Sequence, residues 1–180
     1  MKSAGANPVS DTAIKSAADR IAAPFSRAGG ENSYSLHAEL QEVTHNLVGI
    51  IRTRTEIEEA IAKIADIRAR SKNVAVAGGR VFNPGFHLAF DLDNMLLVAE
   101  STAKSALLRE ESRGGHTRDD FPGMDDKWRQ VNHIASFDGE KVNIKSQSLP
   151  VIPKELFDLF DIHELEKYMT PAEIAKGGSN

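Results

Sequence analysis

The sequence contains no cysteine. That absence excludes a disulfide scaffold, a Cys/His zinc site, iron–sulfur ligation and a thiol nucleophile. Aromatic residues are scarce at 6% of 180 positions, so the core must be aliphatic and alanine-rich, which suits helix packing better than a β-sandwich. Long apolar runs are missing too. Stretches such as Met95 to Ala99 fall far short of the roughly 20 residues of a membrane span, so no direct membrane insertion is expected. Met1-Lys2 is followed by small and polar residues, and no secretory signal is expected there. Nor is there an excess of positive charge: 22 Lys+Arg stand against 26 Asp+Glu, a formal charge of -4, which argues against a nucleic-acid partner. What is present is a 41% hydrophobic, 27% charged chain, apolar enough to fold rather than stay disordered.

Residues 1–10 read as a lead-in. Asp11 to Arg27 is helix-prone, with Ser10 or Asp11 as N-cap, and Pro24 is expected to end or kink that helix near Ala22-Ala23. Leu36, Leu40, Val43, Leu47 and Ile50 or Ile51 recur at spacings of three and four, the seam of a second helix capped by Ser33 or Ser35. Two overlapping capping boxes, Thr53 with Glu56 and Thr55 with Glu58, precede a third helix bearing Ile57, Ala60, Ile61, Ile64 and Arg68 on one line. Asn73 to Pro84 breaks the periodicity as a crossover loop. A long apolar stripe from Leu88 to Leu107 then predicts a helix over about Leu88 to Glu110.

Beyond Glu110 the character changes. Asp138-Gly139 between two short alternating runs is a hairpin signal, and Lys154 to Tyr168 predicts one more amphipathic helix. The expected fold is all-α: an antiparallel three-helix bundle, spectrin-repeat-like, with an extended C-terminal tail carrying a short β-hairpin. The organisation reads as 1–30 lead-in and short helix, 31–112 helical bundle, and 113–180 charged loop, hairpin and tail helix.

Few motifs carry chemistry. Gly78-Gly79 and Gly114-Gly115 are not G-x-G-x-x-G and follow no clear strand, so no phosphate cradle is expected. The six histidines lack ligand-like spacing, and no Ser/His/Asp set has a nucleophile's strand-turn-helix context. No catalytic, cofactor-binding or metal-binding residue is therefore identified. One segment differs. From Arg109 to Arg129, 11 of 21 residues are charged. There a helix is expected to end near Arg113, turn through Gly114 in a left-handed C-cap, and present Arg113, His116, Arg118, Asp119 and Asp120 along an extended strip. A solvated loop of weak ion pairs is the plainer reading of such a strip.

The string Arg109-Glu110-Glu111-Ser112-Arg113-Gly114-Gly115-His116-Thr117-Arg118-Asp119-Asp120-Phe121-Pro122 resembles a motif of the succinate dehydrogenase/fumarate reductase flavoprotein subunit family, in its C-terminal helical domain. Phe86 to Leu96 resembles the helix leading into that motif. Leu36 to Gln41 and Val48 to Arg52 resemble the first bundle helix, and Trp128-Arg129 with Val142 to Pro150 resemble the closing hairpin. The resemblance implies a part in succinate/fumarate interconversion, with FAD bound elsewhere in the parent subunit and electrons passed to an iron–sulfur subunit. It implies that this chain alone holds no FAD and is inactive. Its implied partners are the N-terminal FAD-binding and capping domains and the iron–sulfur subunit. Its implied location is cytoplasmic, peripheral on the inner membrane face through partner subunits. Arg113, His116, Arg118, Asp119 and Asp120 become candidates for inter-domain docking. Two alternatives stand beside this reading: the C-terminal domain of L-aspartate oxidase, and a free-standing helical docking module. An orphaned face is expected around Arg113 to Pro122, with an apolar patch from the N-terminal helix or the Val74–Phe86 loop, either exposed or covered by the tail.

Overall fold

A computed structural model gives the fold and describes residues 9–177; most of the expected lead-in, residues 1–8, lies outside that range. The first helix, α1 (Asp11–Ser26), is capped by the Ser10 hydroxyl, which accepts from the Ala13 N–H at 3.2 Å. It runs through Pro24 rather than stopping before it. The missing proline N–H falls in the last turn of an exposed helix, where water can serve the unpaired carbonyl. The Pro24 carbonyl in turn accepts from Val76 N–H at 2.9 Å.

The helix α2 (Ser33–Leu47) is capped by Asn32, whose side chain accepts from the N–H groups of Tyr34 and Ser35. Ser33, one of the two expected caps, instead donates to the Gly85 carbonyl at 3.0 Å, tying α2 to the start of the fourth helix. The apolar seam stops at Leu47. Ile50 and Ile51 do not extend it; they are 70% and 64% exposed, because the helix ends at Leu47 with Val48 as its C-cap and the chain enters a two-residue strand, β1 (Ile51–Arg52). Thr53 and Glu56 then form a reciprocal capping box that opens α3 (Arg54–Ser71). Thr55 with Glu58, the alternative register, is not used.

Asn83 caps α4 (Pro84–Leu108) with Pro84 at its first turn. The helix starts four residues before the expected Leu88, since a proline at N1 has no N–H to leave unsatisfied. Leu36, Leu40 and Val43 of α2, Ile57, Ala60, Ile64 and Ile67 of α3, and Leu92, Leu96, Ala103 and Ala106 of α4 bury together in one core. Each fully buried aliphatic side chain contributes about 1.5–3 kcal/mol. Across α3 and α4 the buried Glu100 carboxylate holds Arg68 and Lys104.

The chain is mainly helical but not all-α. A parallel ladder joins β1 to β2 (Thr117–Arg118), pairing Ile51 with Thr117 and Arg52 with Arg118. After a single turn, α5 (Asp126–Arg129), the expected hairpin forms from β3 (Val131–Phe137) and β4 (Val142–Ser148), closed at Phe137 and Val142. Asp138 accepts from the N–H groups of Glu140 and Lys141, and Gly139 takes φ +100°. Lys104 on α4 donates to the Val142 carbonyl at 2.9 Å and anchors the hairpin. The expected single tail helix over Lys154 to Tyr168 is two short pieces, α6 (Lys154–Phe157) and α7 (Ile162–Leu165), and a third, α8 (Pro171–Lys176), follows beyond it. Asp161 and Thr170 cap fresh starts at α7 and α8, and only Phe157 and Leu165 of the stretch are buried. Too little apolar surface is covered to hold one continuous helix.

Candidate functional site

The charged strip is a folded module and not a solvated loop. The helix α4 ends at Leu108, earlier than Arg113, so Gly114 is not its C-cap. Gly114 does take the left-handed conformation (φ +59°), within a tight turn closed by Arg113 and His116, whose N–H groups donate to each other's carbonyls at 2.8 and 3.0 Å.

The orphan carbonyls of α4 are met by Arg118. Its side chain is 0% exposed, and its Nη1 donates to the carbonyls of Ala106 (2.8 Å), Leu107 (3.1 Å) and Arg109 (3.4 Å). A cation at a helix C-terminus also opposes the negative end of the helix dipole. The other edge of the guanidinium meets Asp120 in a two-pronged pair at 2.8 and 2.7 Å, and Phe121 lies 4.9 Å beneath. Asp120 also accepts from the Arg54 N–H at the start of α3. The Arg118 hydrogen bonds, against some burial cost, lower the Asp120 carboxyl to about 2. This pair therefore fastens the end of α4 to the beginning of α3.

Glu111 is the second hub. It is 1% exposed and accepts from Arg109 Nη1 (2.5 Å), Arg113 Nε and Nη2 (both 3.0 Å) and the Asp125 N–H (2.9 Å). Burial alone would raise its carboxyl, but these donors outweigh it and lower the pKa. Arg109 also donates to the carbonyls of Trp128 and Val131, which seats β3.

His116 sits between the two hubs. Its Nε2 donates to the Arg109 carbonyl at 3.0 Å, which leaves Nδ1 to accept from Arg52 Nη2 at 2.6 Å. Burial lowers its pKa, and Arg52, Arg118 and Arg109 lower it further, so the neutral ring is the form this arrangement holds. Asp119 is exposed and contributes its backbone, donating N–H to the Arg52 carbonyl.

Of the five sequence candidates, Arg113, His116, Arg118 and Asp120 thus bear side-chain bonds in one module, and Asp119 points to no side-chain partner among the described residues. Sequence reasoning did not single out Arg52, Arg109, Glu111 or His133. The alternation Arg109, Glu111, Arg113 was a visible signal for the second hub. Arg52 had none, since its role depends on a parallel ladder spanning 66 positions.

No cofactor cradle is built from the described residues. The only strand that runs directly into a helix, β1 into α3, does so through Thr53 without a glycine. Gly78-Gly79 follows no strand and leads to an Asn-Pro helix start. The glycine turn between a strand and a helix N-terminus that marks a Rossmann dinucleotide site is not found among the described residues. Among the described residues no group of three or more His, Asp or Glu could hold a metal ion, and no helix is long and apolar enough to cross a membrane.

Comparison with known proteins identifies the family. The family described as fumarate reductase flavoprotein C-term matches residues 37–173. The fumarate reductase flavoprotein subunit of Helicobacter pylori is 33% identical over 147 residues, which cover 79% of this chain and 21% of that protein. The succinate dehydrogenase flavoprotein subunit of Rickettsia bellii is 31% identical over 125 residues, 68% of this chain and 21% of that protein. Among solved structures, Mycobacterium smegmatis Sdh1 in complex with UQ1 is 46% identical with a TM-score of 0.86, covering 96% of this chain and 30% of that one. The chain therefore spans about a fifth of the curated relatives it matches. With the family's region covering most of its length, and the L-aspartate oxidase alternative not favoured, this chain belongs to the fumarate reductase flavoprotein C-terminal family.

Proposed function

We propose that this chain works as the C-terminal helical domain of a flavin-dependent succinate dehydrogenase/fumarate reductase, docking on the polypeptide that holds FAD. The observation that carries the reading is the family match over residues 37–173, within which the whole Arg109–Pro122 module falls. Redox chemistry belongs to FAD in the parent subunit, and alone this chain is read as inactive. Its partners are then the FAD-binding and capping domains and an iron–sulfur subunit, on the cytoplasmic face of the membrane.

We read α2, α3 and α4 as an antiparallel, spectrin-repeat-like bundle. Arg68 meets Glu100 and Ser71 meets Asp93, an order that reverses between α3 and α4. Residues 1–30, 31–112 and 113–180 remain the working divisions, with the β1–β2 ladder crossing the second boundary. Within the module the roles divide by exposure. Arg118 and Asp120 are internal fasteners, while half-buried Arg113 and His116, with exposed Asp119, are the groups a docked domain can reach.

Co-expression with the FAD-binding part of such a subunit tests the reading. Wild type is expected to co-purify with it and to raise both its flavin content and its succinate–fumarate turnover. Arg113→Ala should weaken association by about tenfold, the loss of one charge-assisted contact. Unchanged association and flavin content in Arg113→Ala and Asp119→Ala would remove these residues from the docking face.

A further inference from the structure

A pocket of about 460 Å³ opens between β1, the C-terminal half of α4 and β3. Arg52, Thr102, Ser105, Arg109, His116 and His133 line it, and no acidic residue does. Around it the other guanidinium groups have carboxylates. Arg109 and Arg113 share Glu111, Arg118 holds Asp120, and Arg54 holds Glu110. Arg52 has none among the described residues. Its Nη groups donate to the Val48 and Gly49 carbonyls and to His116, and its Nε–H is buried with no acceptor. His133 Nε2, also facing this region, is buried and unpaired as well. A half-buried cation without a counter-charge is unfavourable. Burial, followed by the charge of Arg118, accordingly lowers the Arg52 pKa.

We propose that this pocket is a carboxylate site, in which one carboxylate oxygen accepts the Arg52 Nη2 N–H that His116 leaves free, with the Thr102 and Ser105 hydroxyls beside it. A charge-assisted hydrogen bond to a carboxylate is shorter and stronger than a neutral one. Only one positive charge here lacks a partner, so a monoanion balances it, whereas a phosphate dianion would leave a charge over. The carboxylate has two possible sources: a free carboxylic acid, or an Asp or Glu side chain of the polypeptide on which this domain docks. In the second case the site deepens the docking reading, but the pocket argument stands without it.

Trp128 is the only tryptophan, and its ring packs edge-on against His133 at 5.5 Å, so its fluorescence reports on the pocket wall. The full chain is titrated with sodium acetate and with sodium chloride at equal ionic strength and fixed pH. Acetate should give a saturable change that chloride does not. Arg52→Gln should abolish it, and Arg52→Lys, which keeps the charge but moves the donor, should weaken it about tenfold. Thr102→Val, an exposed position on α4, should weaken it severalfold and serves if Arg52→Gln fails to fold by circular dichroism. Equal responses to acetate and chloride, or an acetate response unaltered in Arg52→Gln or, if that variant does not fold, in Thr102→Val, would overturn the site. Repeating the titration with the FAD-binding part present separates the sources. Loss of the response identifies a protein side chain in the pocket, and its persistence identifies a free acid. Absent acetate binding with intact docking would remove this site and leave the proposed function standing.

Discussion

Arg118 shows how one side chain can do what a C-cap glycine does elsewhere. It fills three carbonyls at the end of α4 and still pairs with Asp120. Arg118→Ala would leave those carbonyls and the carboxylate without their partner, and is expected to cost about 3 kcal/mol in urea unfolding. Removing both members in Arg118→Met with Asp120→Asn should cost less than the sum of the singles, which a double-mutant cycle reads. The histidines add a pH dependence. His116 and His133 have folded pKa values below the unfolded 6.5, through burial first and neighbouring arginines second. The unfolded chain therefore binds more protons as pH falls below about 6.5, so stability is present above that pH and declines beneath it. Melting temperatures between pH 7.5 and 5 should show this slope, and His116→Gln should flatten it. Asp120 contributes a separate loss at lower pH, as it is protonated between the ordinary 3.8 and about 2.

At the scale of elements, a residue that caps its own helix acts through local sequence alone. The Thr53–Glu56 box is written in the local sequence and forms; Thr53→Ala should cost about 1 kcal/mol by chemical denaturation. Pro24 is expected to end or kink α1, and the helix does not end there but continues for two residues, because the missing N–H falls where the helix is nearly finished. Leu96 lies on the apolar stripe of α4 and is fully buried against α2 and α3. Leu96→Ala is expected to destabilise by about 3 kcal/mol through the cavity it leaves, whereas Leu159→Ala, on the exposed tail, should change little.

For the molecule as a whole, the exposed apolar residues are the informative ones. Phe82 and Val81 stand in the crossover loop almost wholly in solvent, and Ile14 and Ile21 of α1 are also exposed. Single exposed apolar residues are ordinary, but a group of them can mark a docking face; Val81 and Phe82 precede α4, at the end of that 25-residue helix away from the charged strip. Phe82→Ser should leave the melting temperature of the isolated chain within about 2 °C and weaken co-purification with the FAD-binding part. A stability loss in the isolated chain would instead mark Phe82 as part of the fold.

The sequence by itself determined the helical core, the crossover loop and the Asp138-Gly139 hairpin, because periodicity, caps and turn residues act over a few positions. The absence of cysteine likewise excludes a thiol nucleophile and cysteine-ligated clusters. Only the tertiary structure decided which charges face inward. Arg118 and Arg113 look alike along the chain, but the β1–β2 ladder turns Arg118 beneath the end of α4 and leaves Arg113 near the surface. A two-residue parallel ladder has no periodicity to read, and the carbonyls that attract Arg118 exist only once α4 has ended. The unpaired charge of Arg52 appears for the same reason: it is a relation among residues far apart in the chain, created when the core brings them together.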